Sequence, residues 1–476
     1  MSDGEKSGRS SMYVFRVSFV AAIGGFLFGF DLGMIGAANV YLRDQFHLND
    51  AQLGFATASA VLGCIFGPFL GAWLCDAIGR KTTMLVAAFL LAVSAVVTAV
   101  PDMLPGTSDQ STMVVFNVFR VIGGLGVGLC SIASPMFIAE VAPPAKRGRL
   151  GLMYQLAIVV GHIVAPAIGY LVVITLPQSG GVAEIAWQQP WRWMFASETA
   201  CVLLFVIFVF ALPRSPRWLA QKGRDEDALA VLTKIDGPEY ARQEIKEIRA
   251  SLDQETGGWA ELFVPGMRYA LLIGILLALF NNWTGWSVIG GYIPMLFEMS
   301  GLEDRAQAIL QFAVTYGFMG LMTLVSLLLM DRVGRRPLWL FASLLMAAIT
   351  FATGLVFHFQ LAGIIVLIVI VLCTVPHGIA LGGIPWLMMS ELFPTRLRAK
   401  AVSITTTFLW GTIFSGGYLF PTIRTASEKL VGSVGGVFWL FTGICILSFL
   451  FGWRMMPETK GRTLEEIAES WKRPGV

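Results

Sequence analysis

The chain has 476 residues, 56% of them apolar and only 14% charged, with a mean hydropathy of +0.70. Soluble domains carry about 25% charged residues, so this composition excludes an ordinary soluble enzyme and a disordered chain. A formal net charge of +3 supplies no basic field for a phosphate backbone, which excludes a nucleic-acid partner.

A polytopic membrane protein remains. Crossing a bilayer takes about 20 apolar residues. Twelve runs qualify in chain order, near 14–40, 52–75, 82–101, 112–139, 149–176, 191–212, 268–298, 306–330, 337–359, 361–389, 399–423 and 433–456. The N-terminus is polar for a dozen residues and the first run is long enough to span, so no cleavable signal is expected. Gly and Pro inside several runs predict tilted, kinked helices packed through small residues. Between 213 and 267 the composition turns charged, with apolar residues at helical spacing. That segment predicts short amphipathic helices in a loop between two sets of six spans.

Orientation follows from the basic residues. Of 34 Lys and Arg, five (Arg43, Arg192, Arg305, Arg424 and Lys429) fall on one side and Arg120 lies inside a span. The other 28 lie at the N-terminus, the tail and the alternate connections, which the positive-inside rule places in the cytoplasm. Both termini and the central loop are therefore expected there. The six cysteines stand singly in apolar runs, like small core hydrophobes, and neither disulfides nor a metal site is expected.

The two halves repeat. Asp76, Gly79, Arg80 and Lys81 after span two recur as Asp331, Gly334, Arg335 and Arg336 after span eight. Glu140 precedes Arg147 by seven, and Glu391 precedes Arg398 by seven. Pro213-Arg-Ser-Pro-Arg217 after span six recurs as Pro457-Glu-Thr-Lys-Gly-Arg462 after span twelve. The fold expected is all-α and integral to the membrane, with twelve transmembrane helices in two pseudo-symmetric six-helix halves in parallel orientation. The divisions are 1–212, a linker over 213–267, 268–456 and a tail over 457–476.

The stretches RVIGGLGVGLCSIASPMFIAEVAPPAKRGRL (120–150), SPRWL (215–219), SELFPTRLRAKA (390–401) and PETKGRTLEEI (457–467), with D-x-x-G-R-[KR] twice, resemble the sugar porter family of the major facilitator superfamily. GGFLFGFD (24–31) and WRWMFASE (191–198) are similar to its bacterial xylose–proton symporter type. The resemblance implies a proton-coupled monosaccharide symporter of a bacterial inner membrane, a monomer that works by alternating access. Its partners are then a sugar, protons and the bilayer. No nucleotide loop, metal cluster or nucleophile–base pair is visible, so neither an enzyme nor a cofactor is expected.

Asp31, Arg120 and Glu198 lie inside spans, where a charge costs roughly 2.5–3.5 kcal/mol on insertion scales. Asp31 is 12 residues from Arg43, and Arg120 is 11 from Asp109. Both therefore sit about 16–18 Å from the outer boundary and are at the right depth to pair. One reading is a fixed salt bridge between helices one and four. The resemblance implies proton coupling at Asp31, with Glu198 supporting the pair. It also implies a cytoplasmic latch of Asp76, Arg80, Glu140 and Arg147 with Asp331, Arg335, Glu391 and Arg398, although each pair alone reads as a weak surface bridge. The family's PESPR is PRSPR here, so Arg214 reverses one latch charge.

A pyranose offers hydroxyl edges and apolar faces, which amides and aromatic rings recognise. The resemblance assigns Phe28, Gln155, Asn281, Trp386 and Trp410 to the sugar. His162, Asn282 and Ser287, which stand where the family has other amides, are also expected to bind the solute, while Leu381 and Leu409 replace a Trp and an amide neighbour. Plain helix packing is the alternative at each. These departures keep another solute open, such as a polyol or organic acid, as well as an uncoupled facilitator. A non-transporting receptor is disfavoured by a tail of only about 20 residues after Pro457.

Overall fold

The computed structural model describes residues 3–103, 109–143, 147–176, 189–254, 258–302 and 304–460. Ten helical passages among them are long and apolar enough to cross a membrane. They comprise α1 (Asp3–Gln45), α2 (Asp50–Ile78), α3 (Arg80–Ala99), α4 (Asp109–Val141), α5 (Arg147–Thr175), α6 (Pro190–Phe210), α12 (Arg305–Val333), α13 (Arg335–His358), α14 with α15 (Ile364–Pro376 and Ile384–Glu391) and α17 (Gly435–Arg454). The seventh expected run is broken into α9 (Met267–Trp283), α10 (Trp286–Gly290) and α11 (Ile293–Met299), and the eleventh is α16 (Thr395–Val431). Each of the twelve hydropathy runs thus corresponds to one helical passage.

The breaks have local causes. Gly285, at φ +120°, ends α9 and starts α10, a conformation that a side chain would strain. Pro376 lacks an N–H, and the chain passes through a π turn over His377–Leu381 before α15 resumes behind Pro385. Several helices overrun their apolar runs. α16 is 37 residues long because a helix continues into the polar interface, where hydropathy no longer marks it. In the linker, α7 (Pro216–Gln221) is capped by the Ser215 hydroxyl, and α8 (Asp225–Gln254) bends at Asp236 and Gly237 ahead of Pro238.

The chain gathers into two compact units, residues 1–32, 62–162 and 195–256 in one and 33–61, 163–194 and 257–476 in the other. In the first, α2 meets α4 at glycines: a Cβ on Gly67 would lie 2.3 Å from the Cα of Gly128, so only bare backbone fits. In the second, hydroxyls join α13 to α17 through Ser343 and Ser448 at 2.9 Å and Thr350 and Thr442 at 3.0 Å. Phe66, Trp73, Phe89, Phe210, Leu328 and Ile364 are exposed. Such a surface is a liability in water and a fit for lipid.

Candidate coupling, solute and latch residues

The first unit holds the charges that the membrane interior would otherwise expel. Asp31 on α1 and Arg120 on α4 are each 1% exposed, and Glu198 on α6 is 2% exposed. Arg120 donates through Nη1 to Asp31 Oδ1. Glu198 interacts with the Asp31 carboxyl, and Phe195, one turn earlier on α6, lies 5.3 Å beneath the guanidinium. A buried pair of this kind survives only because each charge cancels the other's desolvation. Two carboxyls share one guanidinium here, so one proton on the acids leaves the cluster neutral.

Phe28 and Gln155 lie in the same unit. Phe28 is buried, and its ring meets His162 edge-on at 6.4 Å. His162 turns Nδ1 to the Ile158 carbonyl of its own helix at 3.0 Å, while Gln155 is half-buried on α5. Gly29 sets this approach. A Cβ there would fall 1.9 Å from the Ile158 carbonyl oxygen and 2.9 Å from His162 Nδ1.

In the second unit the two asparagines at the end of α9 behave differently. Asn281 donates through Nδ2 to the carbonyls of Leu381 and Gly382, at 2.7 and 3.0 Å, and so ties α9 to the π turn. Asn282 is 1% exposed and donates to Thr412 Oγ1 at 2.8 Å, with Ala278 and Leu409 carbonyls at 3.2 and 3.4 Å. Its amide nitrogen holds α9 against α16. Ser287 on α10 and Trp386 on α15 are half-buried, and Trp386 packs on Ala278, Met389 and Leu409. Trp410 is fully buried. Sequence reading passed over Thr412, which bonds Asn282, and Trp283, whose indole donates to Ser415 at 3.2 Å. Thr412 and Ser415, two hydroxyl residues three positions apart within an apolar run, were the available signal.

The repeated motifs form matching triads. In the first unit Arg80 reaches Glu140 at 2.7 Å and Asp76 at 3.3 Å, and the Ser215 hydroxyl donates to the other Glu140 oxygen. In the second, Arg335 reaches Glu391 at 3.1 Å, and the Thr459 hydroxyl donates to Glu391 at 2.6 Å. Arg398 is half-buried and engaged, whereas the side chains of Arg147 and Asp331 lie outside the described residues. The triads differ in one respect. Glu458 accepts from the backbone N–H groups of Arg335 and Arg336, both at 3.1 Å, and so caps α13. Its counterpart Arg214 lies over the Trp218 ring at 5.4 Å, leaving α3 without a carboxylate cap at that point. Trp218 in turn abuts Gly79, which stands at φ +89°.

Paired charges and amides buried within apolar helices are the fittings of a solute pathway. The family described as "Sugar (and other) transporter" matches residues 17–471, and the chain belongs to that family; it is a transporter, not an enzyme. It is 37% identical to an arabinose-proton symporter of Bacillus subtilis over 467 residues, 96% of this chain and 95% of that one. It is 34% identical to the D-xylose-proton symporter of Escherichia coli, covering 97% and 96% of the two. Among solved structures, the inward-open conformation of the xylose transporter XylE from E. coli matches with a TM-score of 0.83 at 32% identity, over 96% of this chain and 100% of that one.

Proposed function

We propose that this chain is a proton-coupled monosaccharide symporter working by alternating access, a monomer in a bacterial inner membrane with both termini cytoplasmic. Its divisions are the 1–212 half, the 213–267 linker, the 268–456 half and the 457–476 tail. The observation that carries the reading is the Asp31–Arg120 pair with Glu198 beside it, fully buried. Burial works against the Asp31 charge and the guanidinium works for it, so a small helix movement is enough to load or release a proton. An uncoupled facilitator has no use for such a balanced pair.

Gln155, the side-chain carbonyl of Asn281, His162 and Ser287 are assigned to sugar hydroxyls, and Phe28, Trp386 and Trp410 to the sugar's apolar faces. Asn282 acts from behind by holding α9 to α16. Asp76, Arg80, Glu140 and Arg147, with Asp331, Arg335, Glu391 and Arg398, set the balance of the cytoplasmic gate. Pentoses are the first solutes to try, because the arabinose- and xylose-proton symporters are so similar to this chain over nearly their whole length.

The test is Asp31→Asn in sealed vesicles, which keeps the shape and fixes the neutral form. Accumulation against a gradient should be lost while exchange of labelled for unlabelled sugar persists. Undiminished uphill uptake would remove coupling from Asp31. Loss of exchange as well would reduce the pair to a structural bridge.

A further inference from the structure

Three of the five basic residues that charge counting places outside are Arg43, Arg305 and Arg424. A solute pathway gives them no task. In the second unit all three are engaged by acids far away in sequence. Arg43 at the end of α1 meets Glu298 at the end of α11, at 3.2 Å. Arg305 at the start of α12 shares that Glu298, at 3.0 Å, and also binds Asp44 while lying 5.3 Å over the Tyr41 ring. Arg424 on α16 meets Asp50, the first residue of α2, at 3.0 Å, and Thr425 donates to the same carboxylate. Below these clusters Asn39 donates to the Gly291 carbonyl at 3.0 Å and accepts from Thr57 at 3.2 Å.

We infer that these residues form an ion-pair clasp on the outer face, which holds the outer ends of α1 and α2 against those of α11, α12 and α16 and must part each time the outer side opens. The inference rests on the alternating-access reading and goes beyond it, because it names the groups that weight one side of the cycle. An exposed ion pair is individually weak. Here Arg43 and Arg305 each bind both Asp44 and Glu298, so that two guanidiniums and two carboxylates share their partners and the bonds form and break together. Arg43–Glu298, Arg305–Asp44, Arg424–Asp50 and Asn39–Gly291 join residues of the first sequence half to residues of the second, and none of these four survives separation of those ends. The clasp therefore stabilises the outer-closed arrangement selectively. Removing one pair should raise the outer-open population roughly two- to fivefold. Opening both clusters should multiply the two effects.

The test uses the full-length chain in detergent with a reporter cysteine at Ala58, a buried position facing Gly417. The rate of its alkylation by a polar maleimide is read over the background of the parent chain. Arg424→Gln and Asp44→Asn should each speed labelling roughly two- to fivefold. The swap of Asp50→Arg with Arg424→Asp should bring it back towards the parent rate. Raising ionic strength from about 0.01 M to about 1 M shortens the screening length from about 30 to about 3 Å. That change should speed labelling of the parent reporter more than that of Arg424→Gln. Thr57→Cys serves as a second reporter if Ala58→Cys does not fold. Unchanged rates in the single charge variants, or a swap that labels as fast as they do, would overturn the clasp. Labelling needs no sugar or proton gradient, so a failed clasp is distinguishable from a failed symporter.

Discussion

Asn282→Ala separates an amide that holds helices from one that holds sugar. The side chain is 1% exposed, and its best bond is to Thr412 at 2.8 Å, with the two carbonyl contacts longer at 3.2 and 3.4 Å. Hydrogen bonds between membrane helices average about 0.6 kcal/mol and reach about 1.7 kcal/mol. Truncation also leaves a small cavity, a loss partly offset by removing the buried Oδ1 that has no protein partner. A net cost of about 1–2 kcal/mol follows, which for a large domain is a melting decrease of roughly 2–6 °C. Thermal unfolding of the purified chain measures it, and the same assay with added sugar gives affinity. Affinity for the best pentose should stay within about threefold for Asn282→Ala. Gln155→Ala should leave melting unchanged and weaken binding by about 1–3 kcal/mol, or five- to a hundredfold. An Asn282→Ala protein with normal melting and a more than roughly tenfold weaker affinity would make Asn282 a sugar ligand and refute the packing argument.

Glu458→Ala removes the cap of α13 and should destabilise by about 0.5–2 kcal/mol, read as a lower melting temperature. Arg214→Glu should act in the opposite direction, giving α3 the carboxylate its counterpart has, less about 0.5–1 kcal/mol for the lost contact with Trp218; a fall in melting temperature would refute the repeat-based argument. Gly29→Ala should sharply reduce folded yield, measured by size-exclusion chromatography, because its Cβ would collide with the Ile158 carbonyl at 1.9 Å. A normal elution profile would show that α1 and α5 can separate without cost.

Much of this protein is legible residue by residue. A bilayer reads hydropathy locally, so apolar runs near 20 residues count the twelve passages without any knowledge of what each one touches. The cost of a charge in hydrocarbon is equally local, and it singles out Asp31, Arg120 and Glu198 before any partner is known. The repeat is visible because Arg80 and Glu140, and again Arg335 and Glu391, recur in the same order; the structure turns that order into two triads, each completed by a hydroxyl from Ser215 or Thr459. Tertiary structure alone decided where each polar group spends its bonds. Asn281 and Asn282 are neighbours of one residue type, yet one faces the π turn of His377–Leu381 and the other faces Thr412. Arg43, Arg305 and Arg424 read as stray external charges until Glu298, Asp44 and Asp50 lie beside them. Hydropathy and charge belong to a residue, whereas a hydrogen bond belongs to a pair, and the partner here lies as many as 375 residues away along the chain.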